Sequence, residues 1–169
     1  QARKKAQEST CISNLKQLGT AISMYCADHD GRYPVTDNSN SWSQALFKQK
    51  YAAEPIFWCP LTGEQPSTYN RSYGINFYIN HTDPEKSINQ EDQVLFNSPS
   101  SCLLLADSRP FKISGFKDNH GTWMDEYGYA INFRFTHARE SLCVLFRDYH
   151  VKNISKDPNK NVPIGLKFR

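Results

Sequence analysis

The first thirty residues carry the pattern that most limits what this chain can fold into. Between Gln1 and Asp30, apolar side chains recur at Cys11, Leu15, Leu18, Ile22 and Tyr25, with Ile12, Ala21 and Cys26 flanking the same stripe. Spacings of three and four residues, with no proline, place these side chains along one face of an α-helix. The opposite face carries Lys4, Lys5, Glu8, Asn14, Lys16 and Gln17, which should stay in water. Gly31 and Pro34 mark the end: glycine accepts the left-handed residue after a helix, and proline cannot continue one. At 1.5 Å per residue such a helix runs roughly 40 Å, more than a compact domain of this size requires. The stripe weakens before Cys11, so the N-terminal turns are expected to project from the globular part. Residues 1–30 are thus expected to form a stalk helix, with residues 31–169 as the head in the same domain.

A chain of 169 residues is long enough for one domain with a proper core and too short for two. Its 38% hydrophobic and 13% aromatic content excludes disorder and favours an aromatic-rich β region. The net charge of +3 is spread among acids, and the only basic block is Arg3-Lys4-Lys5. Nucleic-acid binding calls for a clustered basic face, so that class of partner is set aside. The block suits either a solvated helix face or a position beside a membrane surface. No run approaches the roughly twenty apolar residues of a membrane-spanning helix.

Beyond the helix, Trp42–Tyr51 has the pattern of a short second helix, capped by Ser41 and turning Trp42, Ala45 and Leu46 inward. Tyr73–Asn80 alternates and is expected to be extended. Cys102–Asp107 is a short apolar run between turn signals, hence a buried strand. Residues 81–96 and 111–127 carry loop composition. The clearest β signal is C-terminal: Tyr129, Ile131, Phe133 and Phe135 fall on one face, with Asn132 and Arg134 on the other. A turn at His137–Ser141 precedes a strand through Leu142, Val144 and Phe146, and Asp148-Tyr149 turns into a third strand from His150 to Ile154. A helix first and an antiparallel meander last define an α+β fold, with the sheet covering the C-terminal half of the long helix.

Five cysteines (Cys11, Cys26, Cys59, Cys102 and Cys143) fit no metal pattern by spacing, since there is no Cys-x-x-Cys pair and no Cys/His finger motif. Cys143, inside Leu142-Cys143-Val144, has the setting of a buried strand residue. Cys59, in a loop before Pro60, is the best placed for a disulfide. Its partner is either Cys26 at the helix end or Cys102 at a strand start, and spacing does not choose between them.

His137, Asp148 and His150 flank one hairpin, which suggests a histidine general base oriented by an aspartate in a hydrolase. No nucleophile or metal set accompanies them, so a structural hairpin is the better account. Asp28-x-Asp30-Gly31 resembles the start of a calcium loop but lacks the later acidic ligands. Asp107, Asp118, Asp125 and Asp148 offer oxygen donors without calcium spacing. Trp123 lies in a glycine-bounded loop and is the tryptophan best suited to a surface contact, as on a sugar-binding or adhesive face. Without a phosphate loop, nucleophile elbow or recognisable carboxylate pair, the expectation is a non-enzymatic protein with no cofactor.

Several stretches together resemble a known family. Ala2-Arg3-Lys4-Lys5-Ala6, Cys11-Ile12-Ser13-Asn14-Leu15-Lys16-Gln17-Leu18-Gly19 and Asp28-His29-Asp30-Gly31-Arg32-Tyr33-Pro34 are similar to the part of prepilin-type proteins that follows the membrane segment. Cys59-Pro60 and Ser72-Tyr73-Gly74-Ile75-Asn76 match the family's Cys-Pro loop and Ser-Tyr-x-x-Asn element. His137, Asp148 and His150-Val151 occupy its signature of His, nine residues, then Asp-Gly. There are two departures: ten residues separate His137 from Asp148, and Tyr149 replaces the glycine. Tyrosine in that left-handed position costs on the order of 1–2 kcal/mol, so the extra residue is expected to rebuild the turn. The resemblance implies a pilin-like or type II secretion pseudopilin-like subunit. Its apolar anchor helix would precede the Ala-Arg-Lys stretch and has been cut off here. It further implies a head in the periplasm or outside the cell, where a disulfide persists. The partners implied are other pilin-like subunits, secretion or pilus assembly proteins, and the inner membrane. A binding module on the same stalk is the alternative.

Overall fold

The computed structural model describes residues 2–34, 41–63, 71–76, 99–100, 103–108, 134–137 and 140–156. Helix α1 spans Ala2–Asp28 and α2 spans Trp42–Lys48, followed by a 3-10 turn at Glu54–Phe57. Four strands follow: β1 Tyr73–Ile75, β2 Leu103–Asp107, β3 Ser141–Phe146 and β4 Val151–Ser155. They form one antiparallel sheet in chain order, β1-β2-β3-β4. The α+β expectation holds.

Helix α1 buries Cys11, Leu15, Leu18, Ala21, Ile22 and Tyr25 of the stripe its spacing predicts, and Gly19 with them. Asn14, expected on the water-facing side, is buried as well, because its amide donates to the Trp58 carbonyl (2.7 Å). These residues pack against β3, β4 and the 3-10 turn. Before Cys11 the helix leaves this core, and Ala2 to Ala6 are exposed. Its end is closed by the Gly31 N–H donating to the Cys26 carbonyl (2.8 Å), with Asp30 and Gly31 both at positive φ (54° and 77°). Close approach to the sheet depends on Gly19. A Cβ there would stand 3.2 Å from Leu145 Cδ1 and 3.4 Å from the Tyr149 ring. Gly19→Leu is therefore expected to push α1 off β3 and lower stability by about 1–3 kcal/mol in urea unfolding, despite leucine's better helix propensity.

Ser41 caps α2 through a reciprocal pair: the Gln44 N–H donates to Ser41 Oγ (3.2 Å) and the Ser41 N–H donates to Gln44 Oε1 (3.3 Å). The helix stops at Lys48, short of the expected Tyr51, because Lys50 takes a positive φ of 65°. Trp42 and Leu46 are fully buried, and Trp42 packs edge-on against Phe57.

Every residue of β2 and of β3 is buried, which fits the apolar runs Leu103–Ala106 and Leu142–Phe146 and also takes in the polar Asp107 and Ser141. The pairing of β2 with β3 slips between Leu103 and Leu105. Asn76 closes the neighbouring ladder there, its backbone N–H donating to the Leu104 carbonyl and its Nδ2 to the Leu103 carbonyl, each at 3.0 Å. That explains an asparagine at the end of the Ser72–Asn76 element. The expected strand through Phe135 is not formed in its described part. Arg134 makes one ladder-like contact, to the Asp107 carbonyl (3.1 Å), and the chain then turns through an isolated bridge between His137 and Ser141. Residues 129–133 of that expectation lie outside the described residues, as do 77–80 of the first strand.

The β3–β4 connection is a three-residue loop, Arg147-Asp148-Tyr149, closed by the Phe146 N–H donating to the His150 carbonyl (2.9 Å). Such loops end on a left-handed residue. Tyr149 supplies it with φ 65°, so the rebuilt turn keeps one left-handed position and tyrosine occupies it. The same ring rests beside Gly19 on α1, and this packing offsets part of the backbone strain.

Candidate functional site

The family-like signature residues separate into two places. Asp148 and His150 sit together at the β3–β4 turn, half exposed, with His150 Nδ1 against Asp148 Oδ1 and the His150 N–H also donating to that oxygen (3.2 Å). The His150 ring stacks on Phe146 (4.3 Å between centroids). Slight burial works to raise the Asp148 pKa, but the hydrogen bonds and charge of His150 outweigh it and hold the carboxyl below its usual value. His137 lies at the opposite end of β3, a strand of six residues and so about 20 Å long. The arrangement in which Asp148 orients His137 is therefore not formed, because the two flank a strand rather than a turn.

The partner of His137 is Asp107, the last residue of β2. Asp107 Oδ2 accepts from His137 Nε2 (2.9 Å) and from the backbone N–H of Cys143 (2.7 Å). The carboxylate thus extends the β2–β3 ladder past its last paired residues, Ala106 and Val144. Both side chains are almost wholly buried. With its Nε2–H committed to Asp107, the imidazole presents the Nδ1 lone pair to the Cys143 thiol, 3.7 Å away. Burial and the Asp107 charge push that thiol far above its ordinary pKa, so it stays protonated and serves as the donor. The same two causes raise the buried Tyr73 hydroxyl, and the nearby Asn14 amide opposes them.

On the far side of His137 stands a disulfide. Cys59 is bonded to Cys11 (Cα–Cα 5.2 Å), and Cys59 Sγ lies 3.6 Å from His137 Nε2. The expectation that Cys59 forms a disulfide holds, but its partner is neither Cys26 nor Cys102. Cys26 is a half-buried free thiol whose pKa is raised by burial, and Cys102 lies outside the described residues. The cause is helix geometry. Gln7, Cys11 and Asn14 lie along one face of α1, and all three grip the loop after the 3-10 turn. Gln7 Nε2 donates to the Pro60 carbonyl (3.4 Å) and Asn14 Nδ2 to the Trp58 carbonyl (2.7 Å), with the Cys11–Cys59 bond between them. The sequence reading counted Cys11 as an apolar member of the helix stripe. It also placed Asn14 on the water-facing side, so the polar partner that Asn14 finds on the Trp58–Pro60 loop was missed with the disulfide.

Two ligand-like groups appear among the described residues: Cys11 with Cys59 and His137, and Asp107 with His137 and Cys143. Neither contains an oxygen set suited to calcium. Asp28 Oδ2 instead accepts from the Tyr51 hydroxyl (2.6 Å), which pushes that phenol up to about 12. Asp118, Asp125 and Trp123 lie outside the described residues. No helix among the described residues is long and apolar enough to cross a membrane. Comparison of the chain with family models, curated proteins and solved structures found no match.

Proposed function

We propose that this chain is the head and lower stalk of a pilin-like structural subunit of the pseudopilin type. It packs by its N-terminal helix into a fibre and catalyses no reaction. The observation that carries this reading is α1 itself. From Gln7 onward it is fastened to the Cys59 loop and to the sheet, whereas Ala2–Ala6 are exposed, with no apolar burial. A helix fastened along most of its length and exposed beyond that suits helix-on-helix assembly with open, head-to-tail symmetry. The motifs at Ala2–Pro34, Cys59-Pro60 and Ser72–Asn76 and the order of helix then antiparallel sheet support it further. In this reading the subunit is held in the inner membrane by an apolar helix upstream of Gln1. The head lies in the periplasm or outside the cell, and the partners are like subunits and the assembly proteins of a secretion system or pilus.

The test is the coding sequence upstream of Gln1. The expected result is a short leader ending in glycine, then about twenty apolar residues with a glutamate near their start. An ordinary cleaved signal leading straight into Gln1 would remove the fibre and leave the binding module on a stalk as the better account.

A further inference from the structure

We infer that Cys11, Cys59 and His137, with Asp107 beside the histidine, constitute a metal site of the zinc class, closed by the Cys11–Cys59 disulfide and opened by a dithiol reductant. Two thiolates, an imidazole and a carboxylate are the donors that tetrahedral Zn2+ takes. At ordinary bond lengths such donors stand about 3.3–3.8 Å apart. His137 Nε2 is already 3.6 Å from Cys59 Sγ and 2.9 Å from Asp107 Oδ2. The Cys11, Cys59 and His137 donor atoms all lie within 4.8 Å of one another, and all are buried. One ring nitrogen therefore faces both the disulfide and the carboxylate. The donors come from α1, the Cys-Pro loop, the end of β2 and the segment before β3, so they are held in place by separate elements of the fold.

One observation lies outside the account of Asp107 and His137 as a structural latch, and a second fits a ligating histidine equally well. Asp107 Oδ1 is buried and has no hydrogen-bond partner among the described residues, a state that native proteins avoid without a reason. His137 Nδ1, the nitrogen turned away from the site, faces Cys143 Sγ at 3.7 Å. Ligating histidines commonly donate their second N–H to such a partner. The alternative group of Asp107, His137 and Cys143 likewise offers three donors. Its aspartate and thiol face different nitrogens of the ring, so the first group is favoured.

The chemistry balances. A dithiol passes two electrons and two protons to the Cys11–Cys59 bond, giving two thiols and the disulfide of the reductant. Zn2+ then displaces both thiol protons to solvent. The His137 proton shifts from Nε2 to Nδ1 and stays there, hydrogen-bonded to the Cys143 sulfur, so the imidazole remains neutral and Nε2 is free to bind the metal.

Co2+ titration of the chain, oxidised and after dithiol reduction, tests this. The reduced chain should bind one Co2+ with thiolate-to-cobalt absorption and tetrahedral visible bands, and Zn2+ should displace it. The oxidised chain should show neither band. Cys59→Ser should lose about half of the thiolate absorption and His137→Asn should weaken binding at least tenfold, whereas Cys143→Ser should keep both bands. Four results would each overturn the inference: equal binding by the oxidised chain; no bands in a reduced chain that circular dichroism shows folded; bands lost in Cys143→Ser but kept in Cys59→Ser; or unfolding on reduction that neither metal reverses.

Discussion

Asp107→Ala should cost about 3–5 kcal/mol in urea unfolding at neutral pH, the range for removing one partner of a buried charged pair. The carboxylate is the shared acceptor for His137 and for the Cys143 N–H, so its loss leaves two buried donors without a partner. Asp107→Asn should cost roughly half as much, since the amide oxygen still accepts from the Cys143 N–H and the imidazole can change tautomer. Pairing Asp107→Ala with His137→Ala should cost clearly less than the sum of the single changes, because the two residues act as one unit. An Asp107→Ala chain within about 1 kcal/mol of the parent would mean that the pair is incidental to the fold.

Removing the Cys11–Cys59 bond is the second large change. Its cysteines are 48 residues apart, and a closed loop of that size is worth about 4 kcal/mol in the chain-entropy account. In a chain of this length, Cys11→Ala with Cys59→Ala should lower the melting midpoint by about 8–16 °C. The loss should fall on the attachment of α1, where Asn14 and Gln7 would still hold the Trp58–Pro60 loop by hydrogen bonds. Cys26→Ala is the control, since Cys26 is unbonded, and should move the midpoint by no more than about 2 °C. A larger loss with Cys26→Ala than with the double change would contradict the pairing.

Local periodicity explains how much of this fold was legible in the sequence. The stripe from Cys11 to Tyr25, the cap at Ser41 and the apolar runs of β2 and β3 follow from side-chain spacing and capping chemistry, and the structure forms each of them. The centre of the molecule was not legible because it depends on residues far apart in the chain. His137 meets Asp107 and Cys59 meets Cys11 only once β2, β3 and α1 are packed, and no spacing encodes that. Proximity in sequence even favoured the wrong aspartate: Asp148 is near His137 along the chain but a whole strand away from it in space. Tyr149 shows the opposite limit. The left-handed strain at that position was visible from the sequence, yet the ring packing beside Gly19 that makes it tolerable was not.

The central claim, that α1 assembles copies of this chain, is tested most directly by crosslinking in membranes of cells making the full-length chain. Lys5 and Ser9 are exposed on the N-terminal part of α1, and a cysteine at each would report contact between neighbouring helices. The account predicts a ladder of dimers, trimers and higher species from Lys5→Cys with Ser9→Cys under mild oxidation, absent when the exposed Lys152 on β4 carries the only added cysteine. Monomers alone from the α1 cysteines, in cells where the subunit is membrane-bound and folded, would contradict it.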